Sequence, residues 1–333
     1  MLTFGFLGGA GEFDPLILLL LALAFEAYVG RLGFFLKGRR HPESLVRAYI
    51  EAADAKLNRD QRPAYDRAIR GLLVALLGFG LAVSAGFGFA GLSALHPFGW
   101  VIELFLLCLA MDQRAPHQAV AGLIAAEAEG LDAARRAVTP LTLRDPEGLD
   151  EFGIRRAGLE RLCADFGLGV VAPVFWYAFF GMPGLLGYVA IREMDRAVGF
   201  STPKYRAFGF VPARLLDVLG FFPVRLAGLI LALAAFPTPK AHPFRAFKTM
   251  VGQGHRHRRW NLGWPVGAMA GALGISLMGP RRLRKAVVQE KWIGSGDARV
   301  GPKQVLQGLY LYRVACLINI ALVALFSLVR LTV

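Results

Sequence analysis

The chain has 333 residues, of which 55% are hydrophobic, and a mean hydropathy of +0.47. Soluble domains are usually less apolar, so this composition argues against an ordinary soluble protein. The formal net charge of +14 is typical of cytoplasmic loops beside anionic lipids, or of a site for an anionic substrate. No helix-turn-helix pattern, zinc spacing or aromatic RNA-binding signature occurs, so we expect no nucleic-acid partner.

The first apolar segment, residues 15–36, is about as long as a bilayer is thick. It is followed by Lys37, Arg39 and Arg40, and few charges precede it. By the positive-inside rule, the N-terminus lies outside and the loop at 37–70 lies in the cytoplasm. No basic region or cleavage site of a signal peptide is present, so we expect this segment to be retained.

A second span is predicted over residues 71–95, which are rich in glycine as closely packed membrane helices often are. After a short turn, residues 98–111 form a third apolar segment that returns the chain to the cytoplasm. Two acids fall inside apolar helices, Glu26 and Glu103. We expect them to have partners between helices; a proton relay is the alternative.

The region from residue 112 to residue 165 is polar and helical in pattern. Residues 119–138 predict one amphipathic helix. The segment at 143–151 breaks the pattern with an Asp-Pro pair, and Asp150 or Glu151 is placed to begin a new helix.

The next apolar run, residues 170–191, has basic residues on both sides and Gly-Met-Pro-Gly at 181–184. A re-entrant hairpin that turns there keeps both basic flanks in the cytoplasm, so we prefer it to a crossing. The same reasoning predicts hairpins over 211–236, which Pro223 and Arg225 interrupt, and over 263–280. Residues 309–331 predict a true last span.

Three cysteines, Cys108, Cys163 and Cys316, are far apart and show no CxxC spacing. We expect buried, inert thiols rather than a disulfide or a metal site. No P-loop, GxSxG, HExxH or dinucleotide-binding glycine pattern is present. Candidate chemistry therefore rests on polar and aromatic residues of the inferred cytoplasmic face: Arg144, Asp145, Glu160, Asp165, Asp195, Lys204, Tyr205, Arg206, Arg214, Asp217, His257, Asn261, Trp264, Lys291 and Trp292.

Several blocks occur in a distinctive order: a His-Pro pair at 41–42, Arg144-Asp145, GVVAPVFW, MDRAVGFSTPKYRAFGFVPARLLDV, NLGWPVGAMAGALGISLMGP and EKWIG. With them, nearly the whole chain resembles the adenosylcobinamide-phosphate synthases of cobalamin biosynthesis (CbiB/CobD). The resemblance implies an integral membrane enzyme. It would join the carboxylate of adenosylcobyric acid, a corrinoid substrate, to aminopropanol phosphate in an amide bond, using ATP and a divalent metal, Mg²⁺.

Amide formation driven by ATP needs hard oxygen ligands for magnesium, cations around phosphates and a base for the attacking ammonium. On this basis the catalytic candidates are Asp195, Asp217, Arg144, Asp145 and Arg214. The metal-ligand candidates are Asp145, Asp195 and Asp217, with Asp165 beside them. The candidates for binding substrate are Glu160, Asp165, Lys204, Tyr205, Arg206, His257, Asn261, Trp264, Lys291 and Trp292, the two tryptophans as platforms for a planar ring.

Several of these candidates have a structural alternative. Asp195 and Asp217 could form ion pairs with neighbouring arginines at a membrane interface. Trp264 and Trp292 fit an interfacial aromatic belt, and His257 fits a solvated surface. Four arginines fit contacts to lipid headgroups: Arg206, Arg256, Arg258 and Arg259.

Apolar residues stand at four positions where the family carries polar ones: Phe166, Leu168, Leu216 and Val266. They motivate a second hypothesis, a non-catalytic membrane paralog that binds a corrinoid or acts as a regulator like the AmpE proteins. A transporter is disfavoured because the spans are few and no repeat is apparent.

The sequence thus predicts an all-α, polytopic membrane protein with spans, embedded hairpins and amphipathic cytoplasmic helices. We expect one membrane domain over residues 1–333, in the inner (cytoplasmic) membrane, with its site facing the cytoplasm. The oligomeric state is left open.

Overall fold

The protein is mostly helical in a computed structural model that describes residues 14–30, 42–142, 144–199, 202–283 and 286–332. Its α-helices are α1 (Pro15–Val29), α2 (Pro42–Leu57), α3 (Ala64–Leu95), α4 (Gly99–Ala110), α5 (Arg114–Ala128), α6 (Leu131–Val138), α7 (Glu151–Asp165), α8 (Ala172–Val198), α9 (Phe210–Leu219), α10 (Phe221–Ala234), α11 (Pro243–Gln253), α12 (Gly263–Leu273) and α13 (Pro302–Thr332). Short 3₁₀ turns lie at Thr139–Leu141, Pro146–Gly148 and Gly254–Arg256.

Three described segments are long and apolar enough to cross a membrane: α3, the helical run Glu151–Val198, and α13. The pair α9 and α10, taken together, would be a fourth. Only 22% of the most apolar stretch of α3 and 28% of that of α13 are buried within the protein, against 72% for Glu151–Val198. The exposed leucine-rich surfaces of α3 and α13 are those that a bilayer would cover.

The predicted second and last spans are therefore confirmed as helices. Both begin earlier than predicted, at Ala64 and Pro302, because their first turns are polar and fall outside the apolar pattern. The first apolar segment forms α1 only as far as Val29; its predicted remainder lies outside the described residues. The third segment is a helix of 12 residues, α4, too short to span alone.

The prediction of one amphipathic helix over 119–138 is wrong. The chain breaks at Gly130, whose φ of 122° lies outside the helical region, and it forms α5 and α6 instead. The next helix start is confirmed: Asp150 caps α7, its Oδ1 accepting a hydrogen bond from the Gly153 N–H at 2.6 Å.

The helical run that begins with α7 passes through a π-helical turn, Phe166–Val171, into α8. Within α8, Gly181 has a non-helical φ of 60° and ψ of −153°. A methyl group at Gly184 would lie 2.6 Å from the carbonyl oxygen of Trp176. In a continuous helix these two residues are about 12 Å apart along the axis, so the chain turns sharply at the predicted position.

The break within 211–236 falls at Gly220 rather than at Pro223. Pro223 lies in the first turn of α10, where a missing N–H costs nothing. The segment 263–280 forms α12, which ends at the left-handed Gly274 and is followed by extended chain.

The all-α prediction needs one correction, because the described residues include four short strands. β1 (Leu277–Met278) pairs antiparallel with β4 (Trp292–Ile293), so that Met278 lies opposite Trp292. β2 (Arg281–Leu283) pairs antiparallel with β3 (Ala286–Val288). Strands of two or three residues carry no periodicity that a sequence pattern could reveal.

The chain divides into two compact units, each built from separate segments. Unit 1 comprises Met1–Met111, Ala172–Gly220 and Val323–Val333. Unit 2 comprises Asp112–Val171 and Phe221–Leu322.

In unit 1, α3 packs closely on α8 through glycines. A methyl group at Gly86 would lie 2.5 Å from the Cα atom of Pro183. In unit 2, a large apolar core surrounds α12, whose residues from Gly263 to Leu273 are all buried except Trp264.

Candidate functional site

The predicted site residues fall in both units. Unit 2 holds Arg144, Asp145, Glu160, Asp165, His257, Asn261, Trp264, Lys291 and Trp292. Unit 1 holds Asp195, Lys204, Tyr205, Arg206, Arg214 and Asp217.

A buried ion pair, Arg144 with Glu160, lies at the centre of the unit 2 candidates. One terminal nitrogen of Arg144 donates to both carboxylate oxygens of Glu160, at 2.7 and 2.9 Å. The side chains are 3% and 11% exposed, so solvent screens the pair little. The Met278 N–H donates to Glu160 at 2.8 Å, which ties the pair to strand β1. Asp145, next in sequence to Arg144, is half-buried.

An exposed tryptophan, Trp292, lies beside that pair. It is the partner of Met278 in the strand pairing, and the guanidinium of Arg156 stacks 5.5 Å from its ring centroid. Gly279, with φ of 73°, lies against the ring, where a methyl group would come within 2.5 Å of it. Trp292 is 37% exposed, so part of its ring is open to a ligand. We name Arg144, Arg156, Glu160 and Trp292 the Arg144 cluster.

The Arg144 cluster has spare capacity for an anion. Arg156 lies within electrostatic range of both Arg144 and Glu160, and it also donates to the carbonyl of Ala298. The Nε atoms of Arg144 and Arg156 are buried and have no hydrogen-bond partner in the described part of the chain. Buried donors without partners are costly, and phosphate and carboxylate oxygens would satisfy them. Lys291, beside Trp292, is exposed.

Asn261 and Trp264 belong to a second group of unit 2 residues, which contact Arg225. The Arg225 guanidinium lies over three rings, 3.7 Å from Phe221, 4.8 Å from Trp260 and 5.1 Å from Trp264. It also donates to Asn261 Oδ1 at 2.8 Å. Here Asn261 and Trp264 fix a cation of the protein itself, which is a structural role.

His257 is a half-buried histidine rather than a solvated one. Its Nδ1 accepts a hydrogen bond from the Arg259 N–H at 3.0 Å. Burial, together with the positive charges of Arg281 and Arg259, lowers the pKa of His257 to about 4. The imidazole is therefore neutral at pH 7.

Asp165 is engaged by Arg161, whose Nε lies 2.6 Å from its carboxylate. Its partner is four residues away on the same helix, α7. This contact favours a structural role for Asp165.

In unit 1, Lys204 and Tyr205 attach the loop before α9 to helix α2. The Lys204 ammonium donates to Asp54 at 2.9 Å and to the Tyr205 hydroxyl at 3.1 Å. Asn58 completes the group by donating to Asp54 at 2.7 Å and to the Lys204 carbonyl at 3.1 Å. Hydrogen bonding to Asp54 raises the pKa of Lys204, so the lysine stays charged.

The remaining unit 1 candidates lie in different surroundings. Asp217 pairs with the exposed Arg214 at 3.1 Å, which is the structural alternative predicted for it. Asp195 is buried, 6% exposed, near the end of α8. Arg206 is exposed, and its guanidinium has neither a hydrogen bond nor an ion pair among the described residues.

A magnesium site made only of protein ligands does not occur in the part of the chain that the structure describes, where no three His, Cys, Asp or Glu side chains converge. Magnesium commonly binds through one or two carboxylates and substrate phosphates. The half-buried carboxylate of Asp145, next in sequence to Arg144, fits that kind of site. The metal roles of Asp145, Asp195 and Asp217 stay predictions.

Several important residues were missed by the sequence reasoning. Glu43 and Arg192 form a buried ion pair at 2.7 Å, 149 positions apart in the chain. Asp54 and Arg156 were also passed over, because they sit in helical segments with many other charged residues. A charged residue on the buried face of a helix is the signal that could have found Arg192.

The fold and the cluster define a mostly helical protein with membrane-length helices and a buried cationic site. The family model described as CobD/Cbib protein matches residues 19–312, so the chain belongs to the CobD/CbiB family.

The chain is similar to proteins named Cobalamin biosynthesis protein CobD. The one from a Sinorhizobium species is 34% identical, over 94% of this chain and 98% of the relative. That of Rhodobacter capsulatus is 35% identical, over 89% and 92%. That of Brucella anthropi is 34% identical, over 85% and 88%. No solved structure matches the chain.

Proposed function

We propose that the protein acts in cobalamin biosynthesis as an ATP-dependent ligase. It would join the carboxylate of adenosylcobyric acid to the amine of aminopropanol phosphate, giving adenosylcobinamide phosphate. The match to the CobD/CbiB family along most of the chain is the observation that carries this proposal.

The Arg144 cluster provides what the substrates of this reaction need. Both substrates and ATP are anionic, and the unpartnered Nε donors of Arg144 and Arg156 can bind phosphate or carboxylate oxygens. The exposed ring of Trp292, held by Gly279 and Arg156, can stack on the planar corrin ring or on adenine.

The proposed reaction has two steps. A carboxylate oxygen of the corrinoid attacks the γ-phosphorus of ATP, and ADP leaves. A base first removes a proton from the ammonium group of aminopropanol phosphate. The free amine then attacks the carbonyl carbon of the acyl phosphate, inorganic phosphate leaves, and the nitrogen gives up its second proton to solvent. Asp145 would hold Mg²⁺, which when bound would neutralise phosphate charge. Arg144 and Arg156 would stabilise the negative charge that develops on the transferred phosphoryl group.

The proposed location is the inner (cytoplasmic) membrane, as a multi-pass protein with the Arg144 cluster on the cytoplasmic side. The length and exposed apolar surfaces of α3 and α13 support insertion. Cytoplasmic orientation agrees with the excess of basic residues and with the use of ATP.

Purified protein with ATP, magnesium and both substrates tests the proposal by mass spectrometry of the amide product. We expect Trp292→Leu to raise KM for the corrinoid, since it keeps an apolar side chain but loses the planar ring. Trp260→Leu is the matched control, because Trp260 is similarly exposed, at 40% against 37%, but lies on Arg225. If this protein gives no amide product under conditions in which another family member does, the proposal is contradicted.

The second candidate function is a non-catalytic, corrinoid-binding or regulatory paralog. Its support is that Phe166, Leu216 and Val266 are 0%, 2% and 1% exposed. At positions where the family carries polar residues, this chain therefore has core residues. Equilibrium binding of ATP with and without magnesium separates the candidates, since a non-catalytic paralog would show no magnesium-dependent affinity.

A further inference from the structure

A cavity in unit 1, lined by none of the Arg144 cluster residues, has no role in the proposed reaction. It has a volume of about 490 Å³ and lies between the first turns of α3 and the loop that leads into α9. Two arginines line it, Arg67 from α3 and Arg206 from the loop. The rest of its lining is apolar or aromatic, including Tyr65 and Phe210.

The two arginines give the cavity an unused capacity for an anion. The side chain of Arg67 is only 14% exposed, and its buried Nε has no hydrogen-bond partner among the described residues. Its terminal nitrogen reaches Asp60 only at 3.5 Å, and Asp60 is 85% exposed. The guanidinium of Arg206 has neither a hydrogen bond nor an ion pair within the described chain. Two guanidinium groups lining one cavity are a suitable pair of donors for phosphate oxygens.

The apolar part of the cavity continues onto a surface suited to acyl chains. Tyr65 and Phe210 are 72% and 52% exposed. One turn further along α3, Ile69, Leu72 and Leu73 are exposed, and they begin the leucine-rich face of this membrane-length helix. The cavity thus lies where α3 changes from charged to apolar, which is the level of lipid headgroups.

We propose that this cavity binds the headgroup phosphate of an anionic phospholipid, with the acyl chains along the exposed face of α3. The phosphate would accept hydrogen bonds from Arg67 and Arg206, and Tyr65 and Phe210 would pack against the glycerol and the upper acyl chain. A free phosphate has the same oxygens but would leave the apolar walls and the adjoining leucines uncovered. The proposal rests on the proposed membrane location and not on the ligase reaction.

Native mass spectrometry of the full chain in detergent, titrated with phosphatidylglycerol or phosphatidylcholine, tests this assignment. We expect Arg67→Gln/Arg206→Gln to raise the Kd of the first phosphatidylglycerol by about tenfold or more, since each arginine near an anionic headgroup contributes about 1 kcal/mol. The matched control is Arg136→Gln/Arg299→Gln, which removes two exposed charges from unit 2 and should leave that Kd unchanged. Arg206→Gln alone changes only an exposed side chain, and it should raise the Kd about fivefold even if the double variant fails to fold.

Two further measurements distinguish a lipid headgroup from free phosphate, and a wrong lipid assignment from a wrong membrane location. Excess inorganic phosphate should not displace phosphatidylglycerol; if it does, the site takes soluble phosphate and the lipid assignment is overturned. Equal Kd values for the cavity variants and the control pair would also overturn it. Carbonate extraction of membranes is run in parallel, because a protein released by carbonate would contradict the membrane location itself, whatever the result for ligase activity.

Discussion

Replacing Arg192 by Met should destabilise the protein strongly, although Arg192 is not a proposed site residue. Arg192 is 1% exposed, donates to Glu43 at 2.7 Å and to Glu193 at 3.1 Å, and lies 3.4 Å from the Ala110 carbonyl. Glu43 and Glu193 are 14% and 4% exposed. Removing one partner of a buried ion pair costs about 3–5 kcal/mol, because the remaining charge stays buried. Glu193 keeps Arg196 at 2.7 Å, so we expect the lower end, about 3 kcal/mol.

Thermal unfolding of the purified protein in detergent measures this effect. A loss of about 3 kcal/mol should lower the Tm by about 5 °C or more. The matched control is Arg70→Met, which breaks an ion pair with Asp66 at 3.1 Å, the same distance as between Arg192 and Glu193. The side chains of Arg70 and Asp66 are 35% and 30% exposed, so this change should cost less than about 1 kcal/mol. Adding Glu43→Gln to Arg192→Met should recover part of the loss. Equal Tm changes for Arg192→Met and Arg70→Met would refute the reasoning.

Two further predictions concern packing and pH. Gly86→Ala should lower the Tm, since its methyl group would meet the backbone of Pro183 at 2.5 Å, whereas Gly88→Ala on the same helix has nothing within 4 Å and should be neutral or stabilising. Because the folded-state pKa of His257, about 4, lies below the ordinary value of 6.5, the unfolded chain takes up the proton first. The contribution of His257 to the free energy of unfolding should therefore be constant above pH 6.5. It should fall, by at most about 3 kcal/mol, as the pH drops towards 4. The drop in Tm between pH 7.5 and pH 4.5 should be smaller in His257→Asn; an equal drop would show that His257 is not responsible.

Local patterns in the sequence predicted those elements whose cause is local. The apolar runs predicted α3 and α13, Asp150 predicted the start of α7, and the glycines at 181 and 184 predicted a turn within α8. In each case, the residues that determine the structure lie within the element itself.

Contacts between distant parts of the chain could not be predicted in the same way. The sequence did not predict that Lys204 donates to Asp54, 150 positions away; its role in binding substrate stays a prediction. Nor did it predict that Asn261 and Trp264 contact Arg225; their role in binding substrate stays a prediction. Nothing in the local pattern of a polar residue specifies which distant partner will satisfy it.

The candidate site was predictable in part for the same reason. Arg144, Glu160 and Trp292 are three of the fifteen predicted candidates, and the structure brings these three together in unit 2. Arg156 was missed because one arginine in a helix with several other charged residues resembles a solvated charge. Only its stacking on Trp292 and its unpartnered Nε identify it as a candidate.

The most direct test of the proposed ligase is complementation of a cobalamin auxotroph that lacks its own adenosylcobinamide-phosphate synthase. We predict growth with the native chain, and no growth with Arg144→Ala or Asp195→Ala when both variants are present in the membrane at native levels. Arg136→Ala, an exposed arginine outside the Arg144 cluster, should support growth. Absence of growth with native protein that is expressed in the membrane would contradict the ligase proposal and favour the non-catalytic paralog.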